Sequence, residues 1–151
     1  MSAPRRRVLS VFLVLGLILA VPASASACDG CTPGFWKTNT AAWGPTGYSP
    51  GQTYGSVFAS APSDLAGMTL LEVASNGGGG TSALGRHSVA ALLNLAHPDV
   101  ANPPGWDVAA LISAVNTAFA SGSTSVIESL HGTLEALNEA RCPLDADEAA
   151  A

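Results

Sequence analysis

The chemistry that this sequence offers most clearly is that of its cysteines. The chain has three, Cys28, Cys31 and Cys142, and the first two form a C-x-x-C pattern. A Cys31–Cys142 disulfide would tie the two ends of the chain together, closing a loop of about 110 residues that stabilises by about 4 kcal/mol in the chain-entropy treatment. A Cys28–Cys142 bridge is the competing pairing, and the sequence leaves it open. With Cys31 and Cys142 paired, Cys28 is a free thiol, a lipid attachment site or an intermolecular partner.

Three other uses of a C-x-x-C pair are disfavoured. A redox pair is expected in a thioredoxin-like βαβ setting, and no such pattern follows. A c-type haem needs a histidine directly after the second cysteine, where this chain has Thr32. A zinc site needs a second close pair of ligands, and only Cys142 remains. We therefore interpret the cysteines as structural, and we expect no cofactor.

The first 27 residues predict a compartment in which thiols oxidise. Residues 5–7 are arginines, residues 8–21 form an apolar run interrupted only by Ser10 and Gly16, and residues 25–27 read Ala-Ser-Ala. This pattern is typical of a secretory signal peptide over residues 1–27, which is too short to be a permanent membrane span. We expect a secreted protein, extracellular or periplasmic, in which disulfides persist. A lipid-anchored surface protein is the minor alternative, because Ala25 stands where lipoprotein signals usually have leucine.

The charge of the predicted mature chain limits its partners. Removal of residues 1–27 leaves 124 residues with three basic side chains against eleven acidic ones, a formal charge of −8. Such a surface repels phosphate backbones, so we expect no nucleic-acid partner. The remaining length suits a single domain, which we place at residues 28–143. The acidic, alanine-rich end, residues 144–151, is expected to be a disordered tail.

The histidines and serines do not form a recognisable catalytic or metal site in the sequence. His87 and His97 are ten residues apart on one predicted helix, about 15 Å along its axis, so they cannot share one ion. His131 lies between Glu128 and Glu135, which we interpret as a solvated charge cluster. Ser49 falls in a G-x-S-x-G string, residues 47–51, but no strand pattern precedes it, so we do not interpret it as a hydrolase nucleophile. We therefore assign no catalytic residue and no metal ligand, and we do not expect an enzyme.

The hydrophobic pattern predicts a mainly α fold, a compact bundle of three to four helices preceded by a loop-rich aromatic arm. Residues 31–63 are rich in turn signals and carry large rings that should pin this arm to the core. Residues 69–72 form a Thr-x-x-Glu capping box for a short helix, and residues 82–97 should form a helix that is apolar over most of its circumference and therefore central. Two further helices are expected, from Asp107 to about residue 120 and over residues 125–140. The second should bury Val126 and expose His131.

The aromatic arm also permits a glycan-binding interpretation. Rings exposed on a surface can stack on sugar faces, and the candidates for such stacking are Trp36, Trp43, Tyr48, Tyr54 and Trp106. The favoured interpretation is that these rings pack inward, because the sequence offers few other large rings for a core.

Two stretches resemble a known kind of microbial module. Residues 31–37 read C-T-P-G-F-W-K, and residues 83–94 read A-L-G-R-H-S-V-A-A-L-L-N. They are similar to the C-T-P-G-[FY]-W-K and A-L-x-R-H-x-x-A-A-L-L-N motifs of secreted and surface-attached microbial proteins of uncharacterised function. Members often have Asn-His after the lysine, where this chain has Thr38 and Asn39.

The resemblance implies an extracellular module and suggests which of its motif residues meet. We hypothesise that Trp36 and Lys37 dock on a polar stripe of the central helix near Arg86, His87 and Asn94, with Trp43 also in the motif core. We expect a non-catalytic extracellular or surface domain for structural, adhesive or matrix association, with a cell-surface or matrix component or a glycan as partner. The alternative is a small secreted glycan-binding protein or hydrolase accessory.

Overall fold

The predicted mainly α fold is confirmed. The computed structural model describes residues 29–146, so the predicted signal peptide, Cys28 and the last tail residues lie outside the described residues. The α-helices in that part of the chain are α1 (Pro33–Thr38), α2 (Tyr54–Val57), α3 (Ser63–Ala66), α4 (Leu70–Ser75), α5 (Gly80–Ala96), α6 (Val108–Ser121) and α7 (Thr124–Asn138). Two 3-10 helices, Thr40–Thr46 and Pro143–Ala146, accompany them.

Helix α5 is the centre of the fold, as its apolar circumference predicts. It packs against α1, α4, α6 and α7, and every residue from 87 to 94 is buried. A helix surrounded by neighbours needs apolar or internally bonded side chains on all sides. The helix begins at Gly80, two residues before the predicted start, so the last glycine of the run at residues 77–80 is its first residue.

Helices α4 and α6 are capped at their N-termini by the residues that the sequence predicts. The Thr69 side chain accepts from the Glu72 N–H, and the Glu72 carboxylate accepts from the Thr69 N–H, a complete capping box. The Asp107 carboxylate accepts from the Ala110 N–H at 2.7 Å and caps α6. Gly122 ends α6 with a φ of 61°, a left-handed conformation that favours glycine.

The N-terminal arm is held down by its rings, as expected. Trp36, Trp43, Tyr54 and Phe58 are all buried in the core, and the Tyr54 hydroxyl pairs with the Ser88 hydroxyl of α5 at 2.8 Å. The inward-packing interpretation is therefore confirmed for Trp36, Trp43 and Tyr54, whereas Tyr48 and Trp106 are only partly buried against the core. The three buried rings count among the five candidates for sugar stacking. They are not available to stack on a sugar, which removes most of the rings on which the glycan-binding interpretation depends.

The two ends of the domain are joined covalently. Cys31 and Cys142 form a disulfide with a Cα–Cα distance of 4.5 Å across 111 residues, which decides between the two pairings that the sequence leaves open. Beside it, Gly30 donates to the Arg141 carbonyl at 3.0 Å. The C-terminal 3-10 helix continues past the predicted domain boundary at residue 143, and Leu144 packs against the core, so the ordered domain extends beyond that boundary.

No helix among residues 29–146 has the length and apolar character needed to cross a membrane.

Candidate functional site

A buried polar network around Asn94 connects the two motif stretches. The Asn94 Oδ1 accepts from the Cys31 N–H at 2.9 Å and from the Trp36 Nε1–H at 3.0 Å. The Asn94 Nδ2 donates to the Cys31 carbonyl and to the Asn138 Oδ1, both at 2.9 Å. Two donors and two acceptors use the full hydrogen-bonding capacity of one amide side chain. Asn94 therefore fixes the arm, the disulfide and α7 against α5 at a single point.

Asn138, the last residue of α7, extends this network to His87 on α5. Its side chain is fully buried, and its Nδ2 donates to the His87 carbonyl at 2.9 Å and lies 3.4 Å from the His87 Nδ1. The partner pairs Asn94–Asn138 and His87–His131 have the same offset along the chain, so α5 and α7 run parallel and in register here.

The docking hypothesis is correct in placing Trp36 against Asn94, and wrong for Lys37 and Arg86. The imidazole beside Trp36 is that of His97 and not that of His87. Trp36 binds Asn94, and its ring centroid lies 6.0 Å from that of His97. Lys37 is exposed in the last turn of α1, since a helix only six residues long turns one face inward and Trp36 occupies it. Arg86 is bound elsewhere, because its guanidinium donates to the Asn76 carbonyl at 2.8 Å and holds the end of α4.

Trp43 belongs to the same motif core, as expected. Its ring is buried, and its Nε1–H donates to the Trp36 carbonyl at 2.9 Å. The motif residues Trp36, Trp43 and Asn94 thus bind one another inside the molecule instead of forming an exposed site. Buried polar groups of this kind need partners, and here each has one.

A second polar cluster adjoins this network, where α7 brings His131 and Glu135 against His87. One ligand atom from each of the three side chains lies within 4.8 Å of the other two. The His87 Nε2 is 4.0 Å from the Glu135 Oε1, and the His87 and His131 rings meet edge to face with centroids 4.9 Å apart. His87 is 5% exposed, whereas the Glu135 side chain is 44% exposed, so the cluster opens to solvent on one side.

The electrostatics of this cluster favour a neutral His87. Burial lowers the pKa of His87 to about 4, and the neighbouring His131 and Arg86 act in the same direction, while Glu135 opposes them. A neutral imidazole keeps a lone pair on one ring nitrogen at physiological pH. His97, by contrast, contacts Trp36, and its Nδ1 accepts from the Asp99 N–H at 3.2 Å. It is not a member of the His87 cluster.

The expectation that α7 exposes His131 and buries Val126 is wrong. His131 is half-buried and its Nε2 is enclosed, whereas Val126 is 42% exposed beside a surface groove of about 510 Å³ that Trp106 and Leu130 also line. One signal could have located His131. His87 and Asn94 are seven residues apart on α5, and His131 and Asn138 are seven residues apart on α7, a spacing that keeps each pair on one helix face.

Comparison of the chain with protein families, with curated proteins and with solved structures gave no match.

Proposed function

We propose that this chain is a secreted, non-catalytic domain that serves in surface structure, adhesion or matrix association. The observation that carries the proposal is the closed architecture around the motifs: the Cys31–Cys142 bridge joins the domain ends over a fully bonded amide network. A disulfide that closes so long a loop stabilises the folded domain, and it persists in compartments where thiols are oxidised. Trp36, Trp43 and Asn94 of the motifs are thereby committed to holding the domain together.

The acidic balance is compatible with this role. A mature chain with three basic and eleven acidic side chains keeps itself in solution and avoids anionic membranes and nucleic acids. The glycan-binding alternative needs a row of exposed rings, and Trp36, Trp43 and Tyr54 are buried. These three rings therefore give that alternative no support.

Export is tested by expressing the complete chain in a secreting bacterial host and measuring intact mass in each fraction. We expect protein outside the cytoplasm that begins at Cys28 and is lighter by two hydrogens than the fully reduced mass. A further mass increase at Cys28 would indicate a lipid anchor and would support surface attachment. Cytoplasmic protein that retains residues 1–27 and has free Cys31 and Cys142 would contradict the proposal.

Association is tested by sedimentation of the purified, oxidised protein with isolated cell envelopes of the secreting host. The matched control is the Cys31→Ser/Cys142→Ser variant, which has the same charge and lacks the bridge. We expect the oxidised protein to pellet with envelopes and the control to pellet less. Equal recovery of both proteins in the supernatant, or turnover of ester or glycoside substrates by the oxidised protein, would contradict a non-catalytic adhesive role.

A further inference from the structure

The His87–His131–Glu135 cluster touches the network that closes the fold only through the contact of Asn138 with His87. The Asn94 amide is saturated without it, and the 4.0 Å separation of His87 Nε2 and Glu135 Oε1 is longer than a hydrogen bond. The His131 Nε2 is buried and has no hydrogen-bond partner among the described residues. A buried polar nitrogen without a partner is rare in native proteins and calls for an explanation.

Two imidazoles and one carboxylate are a donor set that divalent transition metals prefer. Zinc sites of the His₂Glu kind use three protein ligands and leave a further position for water, and imidazole suits the whole class of such ions. We propose that His87, His131 and Glu135 bind one divalent transition-metal ion of the Zn²⁺ class, with solvent completing its coordination. The proposal is independent of the role in secretion and association.

The distances allow this with small side-chain movements. Three atoms that lie 4.8 Å apart or less have a common centre within about 2.8 Å of each, compared with zinc bonds of about 2.0–2.2 Å. Each ligand must therefore move inward by less than about 1 Å. Glu135 is the ligand with freedom to move, because its side chain is partly exposed at the open side of the cluster. His87 is the fixed ligand, held in the core of α5.

The surroundings also set a limit on the affinity. A metal on the His87 Nε2 places the ring proton on Nδ1, which faces the Asn138 Nδ2 at 3.4 Å, a donor and not the carboxylate or carbonyl acceptor of optimised sites. Arg86 adds a positive charge nearby. We therefore expect a dissociation constant in the range of about 1–100 μM, weaker than that of closed structural zinc sites.

The test is a titration of tag-free, oxidised protein with ZnCl₂, followed by calorimetry and by competition with a chromophoric chelator. The Cys28→Ser background is used throughout, so that a terminal thiol contributes nothing. We expect one Zn²⁺ per chain. We also expect CoCl₂ to give the visible absorption of a four- or five-coordinate ion, since octahedral Co²⁺ absorbs weakly.

Variants on α7 locate the site. Glu135→Gln removes one ligand at a partly exposed position and should weaken Zn²⁺ binding about tenfold or more, and His131→Gln should do the same. Glu128→Gln is the matched control, because it makes the same charge change one turn before His131, outside the cluster, and should change affinity less than about twofold. At one fixed Zn²⁺ concentration, the ion should raise the melting temperature of the parent protein and raise that of Glu135→Gln by less.

Three results would overturn the proposal. They are no saturable Zn²⁺ binding by the parent, equal weakening by Glu128→Gln and Glu135→Gln, and a cobalt spectrum that stays octahedral. Because Glu135→Gln leaves the core intact, its far-UV circular dichroism and melting curve without metal show that the comparison is between folded proteins.

Discussion

Replacement of Asn94 by aspartate tests the central hydrogen-bond network with almost no change in shape. The introduced carboxylate keeps an oxygen where Oδ1 accepts from the Cys31 N–H and the Trp36 indole. It places a second oxygen where Nδ2 donates to the Cys31 carbonyl and the Asn138 Oδ1. Two buried acceptors lose their donor and face an oxygen instead. Each orphaned acceptor costs about 1–3 kcal/mol, so we expect the free energy of unfolding to fall by about 2–6 kcal/mol.

The assay is urea denaturation at neutral pH under oxidising conditions, with matching m-values required before the two proteins are compared. Asn116→Asp is the matched control. It is the same amide-to-carboxylate change. Within residues 29–146 the Asn116 side chain makes one hydrogen bond, in which its Oδ1 accepts from the Ser60 N–H, and a carboxylate oxygen can accept in the same way. The control should change stability by less than about 0.5 kcal/mol.

In the Asn94→Asp variant, the hydrogen bonds that are lost can be distinguished from the one to the Trp36 indole that is kept. The Trp36 indole should remain bonded, because the carboxylate at position 94 still offers it an oxygen, so its Nε1–H should exchange with solvent slowly in both proteins within the folded state. A loss for Asn94→Asp no larger than that of the Asn116→Asp control would refute the reasoning that this amide holds the arm and α7 together.

Three further outcomes are expected. The Cys31→Ser/Cys142→Ser variant should lose about 4–5 kcal/mol of unfolding free energy in urea titrations, because the bridge spans 111 residues; a loss below about 1 kcal/mol would contradict the entropic argument. Gly30→Ala should destabilise by about 1–3 kcal/mol, because a Cβ there meets the carbonyl of residue 137, whereas Gly44→Ala, with open space around it, should be close to neutral by thermal melting. Burial raises the pKa of Tyr54 above its ordinary value of 10.0, so the folded state keeps the proton and the free energy of unfolding falls as pH rises above about 10. Tyr54→Phe should be less stable at neutral pH and should lose less stability between neutral and alkaline pH. The same dependence of stability on pH in both proteins would contradict the assignment of this loss to Tyr54.

The sequence was sufficient for the features that depend on near neighbours. Thr69 and Glu72 cap α4 and Asp107 caps α6 because each side chain reaches a backbone N–H within three residues. The central place of α5 was also predictable, since a helix that is apolar on nearly all sides must be surrounded. These conclusions needed no knowledge of where the chain goes next.

The candidate site was beyond the reach of such local patterns. His131 could be placed on a face of α7, but not against His87, because helical periodicity gives a face and not its neighbour. The same limit made Val126 appear buried, although it lies beside an open groove.

The sequence by itself determined the four helices α4 to α7, the caps of α4 and α6, the inward packing of most large rings of the aromatic arm and the two disulfide pairings that were open. Only the tertiary structure decided that Cys31 is the partner of Cys142, and that α5 and α7 run parallel in one register. The physical reason is that hydrogen bonds and periodicities within a helix join residues a few positions apart, whereas His87 and His131 are brought together by burial of surface across three helices.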